Sequence, residues 1–239
     1  MEKPDTTIRE LRQRLDAIED DVDNGRYRPG PWEALIRAVR ARPDAERAQI
    51  AEGIGRVSRK LHMRAERMTI GIGSALVIEL VATVIGGLLL VLAMGFSSNV
   101  LAIIGAVIWV TTFQPLIKFG CGRAVGIHYD YAYLYGVEPR FKTEYGSYLA
   151  SSRAARIVFH LSGMIGSPLA AWFIWSVLPQ QMHLARVLCW YAMWALIATN
   201  VVTLIVGLAG IRRIGGFRLR DSSSGVAAAE MREVLGLQA

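Results

Sequence analysis

Residues 68 to 117 carry a single ionisable side chain, Glu79. Few environments other than lipid suit so long a run of apolar residues. A membrane-spanning helix needs roughly 20 apolar residues, and four stretches meet that length: Thr69 to Phe96, Val100 to Ile117, Ile157 to Leu178 and Leu184 to Ile211. In hydrocarbon every backbone amide must be paired within the protein, so each stretch reads as a helix. A β-barrel would instead alternate apolar and polar positions over strands of roughly 10 residues. The chain therefore reads as an all-α integral membrane protein with four transmembrane helices, in keeping with 53% hydrophobic residues and a mean hydropathy of +0.32. The first apolar run begins too far along the chain, and is too long, for a cleaved signal peptide, and is expected to stay as an anchor.

Basic residues set the orientation. Arg56, Arg59, Lys60, Arg64 and Arg67 precede the first span. Lys118, Arg123, Arg140, Lys142, Arg153 and Arg156 lie between the second and third, and Arg212, Arg213, Arg218 and Arg220 follow the fourth. The turn Ser97-Ser98-Asn99 carries no charge, and Arg186 is the one basic residue near the turn from Pro179 to His183. The positive-inside rule puts both termini and the loop between the second and third helices in the cytoplasm. The expected location is an integral membrane, the cytoplasmic (inner) membrane if the chain is bacterial. The net charge of +7 belongs to residues hugging helix ends, where membrane lipids with anionic headgroups are the natural partner; nucleic acid is not. Cys121 and Cys189 fall near opposite membrane faces, so no disulfide framework is implied.

Three regions follow: a cytoplasmic helical segment over residues 1–67, a transmembrane bundle over 68–213 that includes the 118–156 cytoplasmic loop, and a flexible cytoplasmic tail over 214–239. In the first, Thr7-Ile8-Arg9-Glu10 fits a capping box, and Ile8, Leu11, Leu15, Ile18 and Val22 repeat at spacings of three and four. Such a helix packs on its own chain, or docks a second copy or a membrane-complex partner. Asn24-Gly25 and Pro29-Gly30-Pro31 break it. A short helix from Trp32 to Ala41 and a basic pre-membrane helix with an Ile50, Ile54, Val57 and Leu61 stripe follow. That stripe is expected to be buried at the membrane interface. Asp221 to Gly225 reads as a linker, and Val226 to Leu237 as a weak terminal helix.

Polar groups inside a bilayer are functional candidates by default. Glu79 and Asn200 lie at matching depth on oppositely directed spans, roughly 16 Å from the boundary at 1.5 Å per residue. Both share a face with small residues that permit close helix approach. They are expected to face the bundle interior and to touch, as interhelical glue, as a proton relay or with Glu79 as a ligand-binding carboxylate.

The loop between the second and third spans concentrates chemistry. It holds six of the eight tyrosines, and from Ile127 to Tyr135 it alternates with period two. An extended segment with a tyrosine face fits this pattern, and so does a helix pairing Tyr131 with Tyr135. As acid–base candidates we take His128, Asp130, Tyr145 and His160. Gln114, Lys118, Arg123, Tyr129, Tyr131, Arg140, Lys142 and Arg156 are the candidate ligand-binding set, the cations suiting a phosphate. The bland alternative is an aromatic belt at headgroup level.

No histidine pair has metal-ligand spacing on one helix, and no nucleotide, hydrolase or metalloprotease motif occurs. No metal or cofactor is expected, and whether the chain is an enzyme is left open. The leading expectation is binding or processing of a lipid, isoprenoid or quinone-like amphiphile at the cytoplasmic interface. The alternative is a non-catalytic accessory or assembly subunit. A channel or proton-coupled transporter built on Glu79 and Asn200 ranks third.

Overall fold

The computed structural model describes residues 7–65, 68–135, 138–211, 213–214, 217–218 and 222–236. Arg67, Arg212, Arg220 and Asp221 lie outside these, as do the side chains of Tyr135, Glu138 and Arg218. The chain is mostly helical, and four of its helices are long and apolar enough to cross a membrane. It divides into two compact units, Met1–Ile72 with Gly126–Ser152 and Gly73–Val125 with Arg153–Ala239. The loop thus groups with the N-terminal segment and the tail with the spans, a different division from the one sequence suggests.

The first unit begins with α1 (Ile8–Asp23), α2 (Pro29–Arg40) and α3 (Asp44–Ala65). The capping box forms: the Thr7 hydroxyl accepts from the Glu10 amide at 3.3 Å and Glu10 Oε2 accepts from the Thr7 amide at 3.2 Å. Leu11, Leu15, Ile18 and Val22 are all buried, and α1 packs on α3. At about 1.5–3 kcal/mol per buried aliphatic side chain, this stripe fastens α1 to its own chain. The α3 stripe is likewise covered by protein, with Ile54 and Val57 at 0% exposure; the interfacial-helix expectation gives way to a packed one.

The unit is not wholly helical. β1 (Thr69–Ile70), β2 (Tyr129–Tyr135) and β3 (Glu138–Thr143) form an antiparallel sheet in the order β1-β2-β3. The period-two pattern is thus an extended strand. A short helix, α6 (Tyr145–Ala150), follows and packs on α3. Gly146 makes that contact possible, since a Cβ there would lie 2.2 Å from the Ala51 carbonyl oxygen.

The second unit holds α4 (Ile72–Phe96), α5 (Asn99–Ala124), α7 (Arg153–Val177) and α8 (His183–Leu208). A small hairpin pairs β4 (Arg213–Ile214) with β5 (Phe217–Arg218), and α9 (Ser223–Val234) closes the chain. These helices are inside out relative to a soluble bundle. On α4, Val77, Leu80, Val84 and Leu88 are exposed while Ala75, Gly86 and Ala93 are buried. Large residues outside and small ones inside is the pattern of helices packed in lipid. Gly86 and Gly105 meet at the α4–α5 crossing, where a Cβ on Gly105 would lie 2.8 Å from the Gly86 carbonyl oxygen. The tail is not free: α9 packs on α7 and α8 with Ala227, Ala228 and Glu230 buried.

Charge pairing adds to the α1–α3 contact. Glu19 receives Arg56 and Lys60, each at 2.8 Å. The Arg56 guanidinium, with Lys60, holds the Glu19 carboxyl down to about 2 from an ordinary 4.5, against the upward push of burial. A depressed carboxyl stabilises above its unfolded value and loses that contribution as pH falls through its folded one. The contribution should therefore be whole at pH 6 and drain away between pH 4.5 and 2. Comparing the melting temperature of wild type and Glu19→Gln across this range checks it. Wild type should melt higher at pH 6, and the two should converge near pH 2.

Candidate functional site

The loop residues reach their positions through α3. Ser58 and His62 lie four apart and so share one helical face. Opposite them, Tyr131 of β2 pairs with Lys142 of β3. The register jumps between Tyr129 and Tyr131, which pair with Thr143 and Lys142, leaving Asp130 as the extra residue of a β-bulge. Bulges re-aim side chains at functional positions.

Three contacts tie the strands to the helix, and a fourth holds Lys142 within its own strand. Lys142 Nζ donates to Ser58 Oγ at 3.3 Å and to the Thr143 carbonyl at 3.0 Å. His62 Nδ1 and the Tyr131 hydroxyl are 2.7 Å apart, and the His62 ring sits edge-on to Tyr133 with centroids 4.8 Å apart. Asp130 Oδ2 is buried and accepts no hydrogen bond from a described residue. Burial pushes the Asp130 carboxyl up, opposed by the charges of Lys142 and Arg59 and reinforced by Glu144. Burial likewise pushes the Lys142 ammonium down, against the pull of Asp130 and Glu144. Glu144 is itself occupied at the start of α6, accepting from the Gly146 and Ser147 amides at 2.9 and 2.6 Å. The result is an amine and a carboxyl that burial drives toward their neutral forms, beside a hydroxyl.

Of the residues singled out from sequence, Asp130, Tyr131 and Lys142 join this cluster. Ser58 and His62 were missed; their signal is a polar pair following Val57 and Leu61 around the helix. The other loop candidates do different work. His128 is exposed and its backbone amide donates to Ser147 Oγ. Tyr145 stacks on Tyr148 at 5.9 Å, Tyr129 meets Phe141 at 6.0 Å, and Arg140 is exposed.

The remaining candidates belong to the second unit. Arg156 forms an ion pair with Glu230 of α9 at 2.9 Å, each side chain 1% exposed. Lys118 donates to Ser223 Oγ at 3.0 Å and lies over the Phe159 ring at 4.9 Å. His160 is buried beside Phe159, and Gln114 Oε1 accepts from Ser167 Oγ at 3.4 Å. Arg123 is exposed near the end of α5. Arg156 and Lys118, both among the candidate phosphate ligands, contact the chain's own α9.

Glu79 is 2% exposed on α4. Asn200 Nδ2 donates to the Met164 carbonyl at 3.0 Å, so its amide is engaged with α7. The reason lies in α7 itself. Pro168 lies inside that helix, has no N–H, and so leaves the carbonyl four residues earlier without its helical partner. That carbonyl is Met164, and Asn200 supplies the missing donor.

An apolar groove opens between α5, α7 and α8, lined by Ile103, Ala106, Val110, Ala171, Leu188 and Ala192 among others, with a volume of about 180 Å³. Among the described residues no group of His, Cys, Asp and Glu is placed to hold a metal ion. No protein-family model matches the chain, and no curated protein or solved structure matches it.

Asn200→Leu should lower stability by about 1–3 kcal/mol, the cost of a buried carbonyl left unsatisfied. Adding Pro168→Ala restores an N–H at position 168 and should recover most of that loss in thermal unfolding in detergent. Equal loss in both backgrounds would show that Asn200 acts otherwise.

Proposed function

We propose that this membrane protein binds an amphiphile whose apolar chain lies in the groove between α5, α7 and α8. The observation that carries the reading is the groove's lining, apolar on every helix that contributes, with Ala106, Ala171 and Ala192 leaving room between them. Its volume of about 180 Å³ decides the ligand class. Pockets for whole drug-sized ligands run to about 300–1,000 Å³, so this groove suits a stretch of one acyl or isoprenoid chain. The groove runs from Ile103 to Thr111 on α5, away from Lys118. Val107 lies eleven residues from Lys118, roughly 16 Å along the axis. With both termini in the cytoplasm, as the basic residues favour, the groove lies nearer the outer leaflet than the cytoplasmic interface first expected. The assembly-subunit reading loses its main support, because the α1 stripe that would dock a partner is buried against α3.

Native mass spectrometry of protein extracted in its own membrane patches tests the reading. Wild type should carry a small amphiphile of defined mass. Ala192→Trp and Val107→Trp, which fill the groove from its exposed side, should lose at least tenfold of it while melting as wild type does. Equal ligand in these variants, or none in wild type, would overturn the assignment. Orientation has its own check: a lone cysteine at position 98, with Cys121 and Cys189 replaced by serine, should react with an impermeant maleimide from outside intact cells. Labelling only after lysis would reverse the topology.

A further inference from the structure

We propose that Ser58 and Lys142 form a nucleophile–base pair that takes the acyl group of a carboxylic ester, making the unit of α1–α3 and the small sheet a hydrolase. This goes beyond the groove and does not rest on it.

The geometry is that of an activated nucleophile, with a base within hydrogen-bond reach of a hydroxyl. Ser58 Oγ and Lys142 Nζ are 3.3 Å apart. They come from α3 and β3, both packed elements, and the base is fixed by its second bond, to the Thr143 carbonyl at 3.0 Å. Serine–lysine pairs are one of the known variants of the serine triad. A lysine acts as a base only as the free amine, and burial displaces it in that direction. The charged and titratable groups around the pair are Asp130 and Tyr131 on β2 and Glu144 at the start of α6, with His62 of α3 against Tyr131 and Arg59 of α3 acting on Asp130. Glu144 is committed to the α6 amides. Asp130 has a buried oxygen with no described donor, placed by the bulge next to the Tyr131–Lys142 pair. Asp130 is a positioning residue, setting the pH at which Lys142 gives up its proton.

The steps balance without a further reactant. The Lys142 amine takes the Ser58 proton as the Oγ–carbon bond forms at the ester carbonyl. The bond from that carbon to the leaving alcohol breaks, and the alcohol departs with the proton from Lys142. Water then gives a proton to Lys142 as its oxygen bonds the acyl carbon. Ser58 Oγ leaves and takes the proton back, so ester and water become acid and alcohol.

The test treats full-length protein in detergent with a fluorophosphonate probe and maps the adduct by mass spectrometry, with p-nitrophenyl butyrate hydrolysis alongside. Wild type should take one adduct, on Ser58, at a rate rising with pH below the ordinary lysine range. Ser58→Ala should take none. Lys142→Arg and Lys142→Met should both melt as wild type and label at least about 100-fold more slowly, the scale of a lost general base. Asp130→Asn should move the pH midpoint downward, because a negative charge that favours the ammonium is gone. Absence of a Ser58 adduct on folded wild type would overturn the proposal. So would undiminished labelling in folded Lys142 variants. If neither variant folds, the wild-type adduct and its pH midpoint decide.

Discussion

Within the four spans, the backbone has no water to fall back on, and every carbonyl a side chain or a proline disturbs must be answered by the protein. Pro168 shows what this requires. It removes the donor for the Met164 carbonyl on a helix whose neighbouring positions, Met164, Gly166 and Ser167, are buried, and the replacement comes from Asn200 on α8 at 3.0 Å. One residue before Pro168 on α7, Ser167 Oγ donates to the Val110 carbonyl of α5 at 2.9 Å. A break in a single helix thus sits where α7 is fastened to both its neighbours. Elsewhere the same constraint is met by proximity: glycines at 86 and 105 let two backbones approach, where dispersion and not hydrophobic transfer supplies the attraction.

The α9 contact rests on a costlier interaction. Arg156 and Glu230 are both withdrawn from solvent, and desolvating two charges offsets much of their attraction. Such a pair adds little net stability but strongly penalises any other seating of α9, since either partner alone would be a buried, uncompensated charge. The surrounding contacts fix the same register: Lys118 on Ser223, Arg153 with Glu233 at 3.5 Å, and Arg232 on the Leu208 carbonyl at the end of α8. These contacts engage α5, α7 and α8 from one short helix.

What was legible in the sequence follows from how local each cause is. The spans could be read because lipid acts on every residue separately, so a run without charge is decisive by itself. The capping box at Thr7 and Glu10 and the α1 stripe are equally local. The strand at Tyr129–Tyr135 was legible as a period, though a helix fitted nearly as well until β3 was known to lie beside it. The pairings were not legible. Tyr131 meets His62 across 69 positions, Lys142 meets Ser58 across 84, and Arg156 meets Glu230 across 74. Periodicity identifies which face of an element is buried and is silent on what covers it. The tail illustrates the cost: its serines read as linker and its alanines as a weak helix, with no sign of the α7 and α8 surfaces that cover them.

Two lysines show how far environment, and not residue type, determines chemistry. Each donates to a serine hydroxyl, Lys118 to Ser223 at 3.0 Å and Lys142 to Ser58 at 3.3 Å. Lys118 also lies over the Phe159 ring, a contact that depends on the positive charge, and its serine belongs to the first turn of α9. That arrangement is a clasp between two segments. Lys142 lies between a buried carboxyl and a helix that presents its serine on a packed face. Its charge is opposed by burial, the larger effect, and favoured by Asp130 and Glu144. A clasp requires a fixed charge, whereas proton transfer requires one that can be given up. The bulge at Asp130 brings its carboxyl to the second lysine, and it is this difference that separates a structural contact from a site suited to chemistry.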